Sequence, residues 1–160
     1  CTPEQLEDEF KGCLELAIYM LKTLGLYEDV SYRFSQWDPE DKEKYIGTPE
    51  QWDEAQSMME RILNHLEIPY KVGVGEAAFY GPKLDVEVKP AVGPEVTLST
   101  CQLDFLLPRR FDLSYIDREG NKQIPVVLHR AIFGTFDRFT AFILEETNAI
   151  MNIYKLYKGI

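Results

Sequence analysis

The chain is 160 residues long, the size of one domain, and 45% of its residues are hydrophobic, which is enough to bury a core. Its formal net charge of −10 excludes a protein whose whole surface binds nucleic acid, because phosphates would be repelled, although a small basic cleft stays compatible. The cysteines Cys1, Cys13 and Cys101 are widely spaced and lack a CxxC pair, which favours a reducing compartment such as the cytoplasm.

The N-terminal half predicts two amphipathic helices that begin with the same signal, TPEQ. In residues 2–5 and 48–51, Thr is the N-cap, Pro the first helical residue, and Gln closes a capping box. Gly25 ends the first helix, and His65 near the end of the second is expected to interact with the helix dipole and not with a metal. The apolar stripes are Leu6, Phe10, Leu14, Ala17, Ile18 and Leu21 in the first helix and Trp52, Ala55, Met59, Ile62, Leu63 and Leu66 in the second.

Strands are predicted between and after these helices. Val30 to Ser35 alternates between apolar and polar residues, and the polar stretch Gln36 to Gly47 is interpreted as a surface connection. Tyr70 to Val74 alternates in the same way, and Ala77 to Pro82 predicts a turn. Lys83 to Lys89 places its apolar residues on one face and four charges on the other. Such a charged face is usually solvated, but in a cleft it would offer lysines to phosphates and carboxylates to a metal.

The longest strand candidate runs from Val96 to Phe105. Its polar residues Thr100, Gln102 and Asp104 would all point to one side. This row is either the wet face of an edge strand or the floor under a polar small ligand, which the Gln102 amide could contact as donor and acceptor.

The C-terminal segment predicts a hairpin, a buried strand and a helix. Leu113 to Ile116 and Ile124 to His129 would pair across a turn, with Val126 to Leu128 as a buried run. Gly134 then lets the chain turn into a last helix, whose apolar stripe begins at Phe136. Helices, then strands, then a helix indicate an α+β domain with a largely antiparallel sheet flanked by helices.

A strand-to-helix junction in this segment carries His129, Arg130 and Arg138. Free N–H groups at a helix start, with an arginine one turn further on, suit an anion such as a nucleotide triphosphate. Such an arginine more commonly makes a surface ion pair, so the junction alone does not assign a ligand.

Three blocks of the sequence resemble a known family. They are GEAAFYGPKLDVEV at 75–88, LSTCQLDFLLPRRFDLSY at 98–115 and VVLHRAIFGTFDRF at 126–139. In this order they resemble the second half of the catalytic domain of threonyl-tRNA synthetases, including the third class-defining motif, and CTPEQLEDEF resembles the segment after the second motif. The resemblance covers residues 1–147 and implies a class II synthetase catalytic domain, whose sheet is antiparallel. Residues 148–160 do not align and are expected to extend the last helix.

The resemblance implies roles for individual residues. Arg138 would be the third motif's arginine, which contacts the ATP phosphates, and Gly134 would let ATP approach the backbone. His129 would be one protein ligand of a zinc ion that holds threonine by its amino and hydroxyl groups. Thr97 stands at an ATP-binding position where the family is expected to have Gln. The residues implied to border the threonine and adenylate pocket are Tyr80, Lys83, Thr100 and Gln102. Lys83 and Arg138 are the two residues implied to be catalytic.

Other parts of the family's site lie outside this sequence. The remaining zinc ligands, a Cys from an MNCPGH-type segment and a His from a DDAH-type segment, would precede Cys1, as would the dimer-forming first motif and the arginine of the second. We therefore expect a fragment of an ATP-dependent threonine–tRNA ligase with little activity alone. The implied cofactors are ATP, magnesium and zinc, and the implied partners are threonine and tRNA in a homodimeric full-length enzyme.

An alternative function stays open. The chain could be a non-catalytic, synthetase-like domain that binds a nucleotide, an amino acid or a protein partner. No apolar run approaches the roughly 20 residues that cross a bilayer, so no membrane partner is expected.

Overall fold

The computed structural model describes residues 1–28, 30–41, 43–90, 93–147 and 158. The expected helical extension at 148–160 lies outside these residues, apart from Lys158. The described helices are α1 (Leu6–Thr23, preceded by a 3-10 turn at Pro3–Gln5), α2 (Pro49–His65), α3 (Leu107–Arg110) and α4 (Phe136–Glu146). The described strands are β1 (Val30–Gln36), β2 (Lys71–Val74), β3 (Lys83–Val88), β4 (Val96–Asp104), β5 (Tyr115–Ile116), β6 (Lys122–Gln123) and β7 (Val127–Ala131).

Five of these strands form one sheet in the order β2-β1-β3-β4-β7. β1 runs parallel to β2, and the other three neighbouring pairs are antiparallel. β5 and β6 form a separate two-stranded hairpin. The α+β class with a largely antiparallel sheet flanked by helices is thus confirmed.

The main core lies between the apolar face of the sheet and the stripes of α1 and α2. Phe34, Leu84 and Leu103 come from three different strands and are at most 2% exposed. The helix stripes bury the side chains of Leu6, Phe10, Leu14, Ala17 and Leu21 in α1 and of Trp52, Ala55, Met59, Ile62 and Leu63 in α2. The capping box of α2 forms as expected, because the Thr48 N–H donates to Gln51 Oε1 at 3.0 Å and the Gln51 N–H donates to Thr48 Oγ1 at 3.4 Å.

The stretch from Gln36 to Gly47 is not the simple surface connection that its polarity indicates. Trp37 and Tyr45 are each only 7% exposed and form a second, smaller core with Trp52 and Ala77. The Trp37 and Trp52 rings stack with centroids 5.6 Å apart, and the Trp52 indole N–H donates to the carbonyl of Ile46 at 2.9 Å. The burial of the two aromatic rings therefore determines the structure of this stretch, although the residues between them are mostly polar or charged.

The hairpin expected between Leu113 to Ile116 and Ile124 to His129 forms with a different second strand. β5 pairs with β6 at Lys122–Gln123, whereas β7 leaves the hairpin and pairs with β4. The run Val126 to Leu128 is half-buried rather than buried, because β7 lies at one edge of the described sheet.

The apolar stripe of α4 differs from the expected one. Phe142 is buried in the main core and Phe139 packs against it, whereas Phe136 is 84% exposed. Within the residues that the structure describes, none of the helices combines the length and the apolar character needed to span a membrane.

Candidate functional site

The strand registers bring polar residues into two rows on the face opposite the main core. In the first row, Ser35 pairs with Lys83, Lys83 with Gln102, and Gln102 with His129. Because β4 has β3 and β7 on its two sides, its polar row is not the wet face of an edge strand. The implied pocket residues Lys83, Gln102 and His129 are thus cross-strand neighbours.

The second row is centred on Asp85, which is 1% exposed. Its registered neighbours are Arg33 and Thr100. Ser35 Oγ donates to Asp85 Oδ2 at 2.8 Å, Thr100 Oγ1 donates to Asp85 Oδ1 at 2.9 Å, and the Lys83 ammonium pairs with Oδ2. A charged group this deeply buried is stable only when it is paired and hydrogen-bonded, and Asp85 meets both conditions. Asp85 therefore fixes the side chains of Lys83 and Thr100.

The outer end of the polar face is an ion-pair network around Arg33. Its guanidinium lies 2.7 Å from Glu87 Oε1 and 2.8 Å from Glu76 Oε2. Glu87 is 4% exposed, and this burial raises the pKa of its carboxyl; Arg33 opposes the shift, while the charges of Glu95, Asp85 and Glu76 add to it. The charged face of β3 is thus buried and paired at Asp85 and Glu87, not solvated, and only Lys89 beyond the strand is exposed.

Tyr80 closes the other end of the face, above Gln102 and His129. Its hydroxyl donates to Gln102 Oε1, and its ring meets the His129 ring edge-on with centroids 5.3 Å apart. Burial and the nearby charge of Asp104 raise the pKa of the Tyr80 phenol. The turn that contains Tyr80 can approach β4 because residue 81 is glycine: a Cβ there would lie 1.7 Å from the carbonyl oxygen of Leu103.

His129 lies at the end of the first polar row, and its side chain is 43% exposed. Its Nε2 lies 2.8 Å from Asp104 Oδ2, and Asp104 is 1% exposed. The sequence pattern placed Asp104 in the polar row but gave no reason to link it to His129, which is 25 residues away. The roles of Arg33, Ser35 and Asp85 were missed in the same way, because only the register reveals their contacts.

The junction residues lie apart from this cluster. Gly134 has a φ of +63°, and a Cβ there would come within 3.2 Å of the Leu98 carbonyl oxygen, so the tight turn into α4 requires glycine as expected. Arg138 is exposed and lines a cleft with Pro94 and Phe142, and in the described part of the chain no hydrogen bond or ion pair joins it to the polar rows. Thr97 lies further along β4, opposite Glu87.

A complete metal site is not formed by the described residues. Among them, no group of three or more His, Cys, Asp or Glu side chains could hold a metal ion. Catalytic zinc needs about three protein ligands. Among the described residues, His129 could therefore supply only one ligand of such a site.

Comparisons with known proteins agree with the fold and the sequence blocks. A threonine–tRNA ligase of Clostridium botulinum (strain Eklund 17B / Type B) is 54% identical over 145 residues, which are 91% of this chain and 23% of that protein. One of Staphylococcus carnosus (strain TM300) is 52% identical over 145 residues, again 91% of this chain and 22% of that protein. The chain thus spans about a quarter of the length of these curated relatives.

A solved structure and a family profile give the same assignment. The structure described as the RNA binding domain of threonyl-tRNA synthetase from Cryptosporidium parvum Iowa II superimposes with a TM-score of 0.81 at 36% identity and covers 92% of this chain and 36% of that chain. The profile described as tRNA synthetase class II core domain (G, H, P, S and T) matches residues 1–147. On this match the chain belongs to the family of class II tRNA synthetase core domains.

Proposed function

We propose that this chain is part of a threonine–tRNA ligase and forms one wall of its threonyl-adenylate site, within residues 1–147. The observation that carries the proposal is the polar face on which Lys83, Thr100, Gln102 and His129 lie together on adjacent strands. The buried carboxylate of Asp85 holds two of these side chains, Lys83 and Thr100, so that part of the face is preorganised before a ligand arrives.

The proposed reaction begins when the threonine carboxylate attacks the α-phosphorus of ATP and pyrophosphate leaves. A terminal ribose hydroxyl of tRNA then attacks the carbonyl carbon of the adenylate, so that threonine is esterified to tRNA and AMP leaves. Lys83 would stabilise the negative charge that develops on the phosphate, and positioning would supply much of the remaining rate. Arg138 would contact the ATP phosphates from the start of α4, Gly134 would let ATP approach the backbone, and Thr97 would border the adenine.

The amino-acid side of the site would be formed by Tyr80, Thr100 and Gln102. Their hydroxyl and amide groups offer donors and acceptors to a small polar substrate. We also propose His129 as one ligand of the zinc ion that selects threonine, since an apolar pocket separates threonine poorly from the nearly isosteric valine. The other ligands would come from outside this chain, as would the arginine of the second motif.

The full-length enzyme would use ATP with magnesium, bind tRNA and form a homodimer in the cytoplasm. The 160 residues alone lack much of that site, so we expect them to be nearly inactive. The test is threonine-dependent pyrophosphate–ATP exchange by the purified chain, with the Staphylococcus carnosus enzyme as reference. Because losing one group that stabilises the transition state costs about 100- to 1000-fold, we expect a rate at least about 1000-fold lower. A rate close to the reference would contradict the incomplete site.

A further inference from the structure

Asp104 is the last residue of β4 and uses both of its carboxylate oxygens. Oδ1 accepts the backbone N–H groups of Leu106 at 3.1 Å and Leu107 at 2.9 Å, where the short helix α3 begins. Oδ2 lies 2.8 Å from Nε2 of His129. Asp104 is 1% exposed, so its position is set by the chain around it and not by solvent.

This contact determines which ring nitrogen of His129 carries the proton. An ionised carboxylate only accepts hydrogen bonds, so the nitrogen that faces it must be a donor. In a neutral imidazole the other nitrogen then has no proton and keeps its lone pair. Within the described part of the chain, Nδ1 of His129 has no hydrogen-bond partner, and the edge-on Tyr80 ring packs against the imidazole.

We infer that Asp104 is a positioning residue: it holds His129 in the tautomer protonated at Nε2 and leaves Nδ1 as a lone-pair donor. A ligand group beside His129 therefore meets an acceptor, which favours ammonium and hydroxyl donors or a cation over carbonyl oxygens. Only the assignment of this ligand as an amino acid rests on the proposed function. The tautomer is a property of the chain alone.

The test reads the tautomer directly, without substrate. The chain has two histidines, so the long-range proton–nitrogen correlation spectrum of the labelled protein contains two imidazole patterns, and His65→Gln identifies them. At a pH where the nitrogen shifts show that each imidazole carries a single proton, we expect Nε2 of His129 to be the protonated, pyrrole-type nitrogen. A proton on Nδ1, or an even mixture of the two tautomers, would overturn the inference.

The variant Asp104→Asn tests whether Asp104 is the cause. Its amide oxygen can still accept from Leu106 and Leu107, but its NH₂ group then faces Nε2 and favours the opposite tautomer. Since a hydrogen bond to a charged group is lost, the ratio of Nε2–H to Nδ1–H tautomer should fall by about tenfold or more. An unchanged ratio would contradict a positioning role for Asp104.

The variant Glu7→Gln is a matched control for Asp104→Asn, because it also removes a carboxylate beside a histidine. Glu7→Gln removes the carboxylate beside the other histidine, His65, and should leave the His129 pattern unchanged. If Asp104→Asn does not fold, the wild-type tautomer alone decides. Because no step involves adenylate formation, failure of a threonyl-adenylate analogue to bind the polar face would contradict the proposed function and leave the tautomer intact.

Discussion

Phe34 and Ser35 are neighbours in β1, and both are 0% exposed, yet they are buried in different ways. Phe34 points into the core beneath α1 and α2 and packs edge-on against Tyr70 with ring centroids 5.6 Å apart. Ser35 points to the opposite face and donates its hydroxyl to Asp85 at 2.8 Å. On one face of the sheet the buried side chains are apolar and pack against the helices. On the other face they are polar, and hydrogen bonds and ion pairs satisfy them.

The two faces therefore contribute differently to the protein. Apolar burial stabilises the fold in proportion to the area removed from water. A buried charge network gains little net stability, since desolvation offsets the attraction, and apolar residues of similar volume often do as well or better. The burial of Asp85 and Glu87 on the polar face is thus compatible with the proposed adenylate site and adds little net stability to the fold.

Truncation of Phe34 and of Ser35 should affect the stability of the protein very differently. We expect Phe34→Ala to lower the free energy of unfolding by about 3–5 kcal/mol, because it leaves a cavity in the core. Ser35→Ala should cost only about 1–2 kcal/mol, since it removes the hydrogen bond to Asp85 at 2.8 Å and a longer one from Lys83 Nζ at 3.5 Å. Urea unfolding of both variants measures the difference, and equal losses would contradict the distinction between the two faces.

The turn that precedes β3 and packs against β4 should be nearly as sensitive. Gly81→Ala would place a Cβ 1.7 Å from the Leu103 carbonyl oxygen, so backbone must move. We expect a loss of about 3 kcal/mol, at the upper end of overpacking effects, together with a shift of the Tyr80 ring signals. Thermal and urea unfolding measure the first effect, and NMR the second.

Gly12→Ala is the control for that variant. Gly12 lies in α1, and nothing outside its own helix lies within 4 Å of an added Cβ. Alanine should therefore stabilise the protein by about 0.5–1 kcal/mol, through better helix propensity. If both glycine variants lose stability equally, the contact with Leu103 is not the cause.

Asp85 tests the polar network itself. Asp85→Ala removes the shared partner of Ser35, Lys83 and Thr100 and should cost about 2–3 kcal/mol. Asp85→Asn keeps the shape and one acceptor, so we expect a smaller loss, while the ammonium of Lys83 becomes more mobile. Urea unfolding and the NMR line shape of the Lys83 side chain test this, and an alanine variant as stable as wild type would rule out a structural network.

Substitution of Glu87 should have the smallest effect on stability, and this effect should appear only as a change in how stability depends on pH. Burial raises its pKa above 4.5 in the folded state, so its protonated form is favoured there and its contribution to stability is greatest below pH 4.5. As pH rises from 4.5 through the raised pKa, that contribution is lost. Wild type should therefore lose stability relative to Glu87→Gln over this interval, as urea unfolding at a series of pH values would show.

Glu50 serves as the control with the opposite sign. A hydrogen bond from Thr48 lowers the pKa of this exposed carboxyl below 4.5, so its contribution is present above pH 4.5 and is lost as pH falls through the lowered pKa. Wild type should lose stability relative to Glu50→Gln only in that acidic range. If the stability difference between wild type and Glu87→Gln changes with pH in the same direction as the difference for Glu50→Gln, the burial of Glu87 is contradicted.

Local patterns were sufficient to predict much of this architecture. Strict alternation in β3 and β4 placed Lys83, Asp85, Thr100 and Gln102 on common faces, because side chains in a strand alternate between its two sides. The capping signals before α1 and α2 located the helix starts in the same way. These features depend only on residues close together in the sequence.

Contacts between distant segments could not be predicted this way. Asp104 meets His129 25 residues later, and Arg33 meets Glu87, because the strand registers align them. No local pattern encodes a register, and none distinguished the buried Trp37 and Tyr45 from a polar loop. Family resemblance supplied the residues that we propose line the pocket, but not the carboxylates that contact them.

NMR mapping of where a non-hydrolysable threonyl-adenylate analogue binds to the purified chain tests the proposed adenylate site directly. We expect side-chain signals of Thr100, Gln102 and His129 to shift with analogue concentration, while those of Leu84 and Leu103 on the opposite face stay unchanged, and Lys83→Ala should weaken the response. Shifts confined to the apolar face, or no shifts at millimolar analogue, would contradict an adenylate site on the polar face.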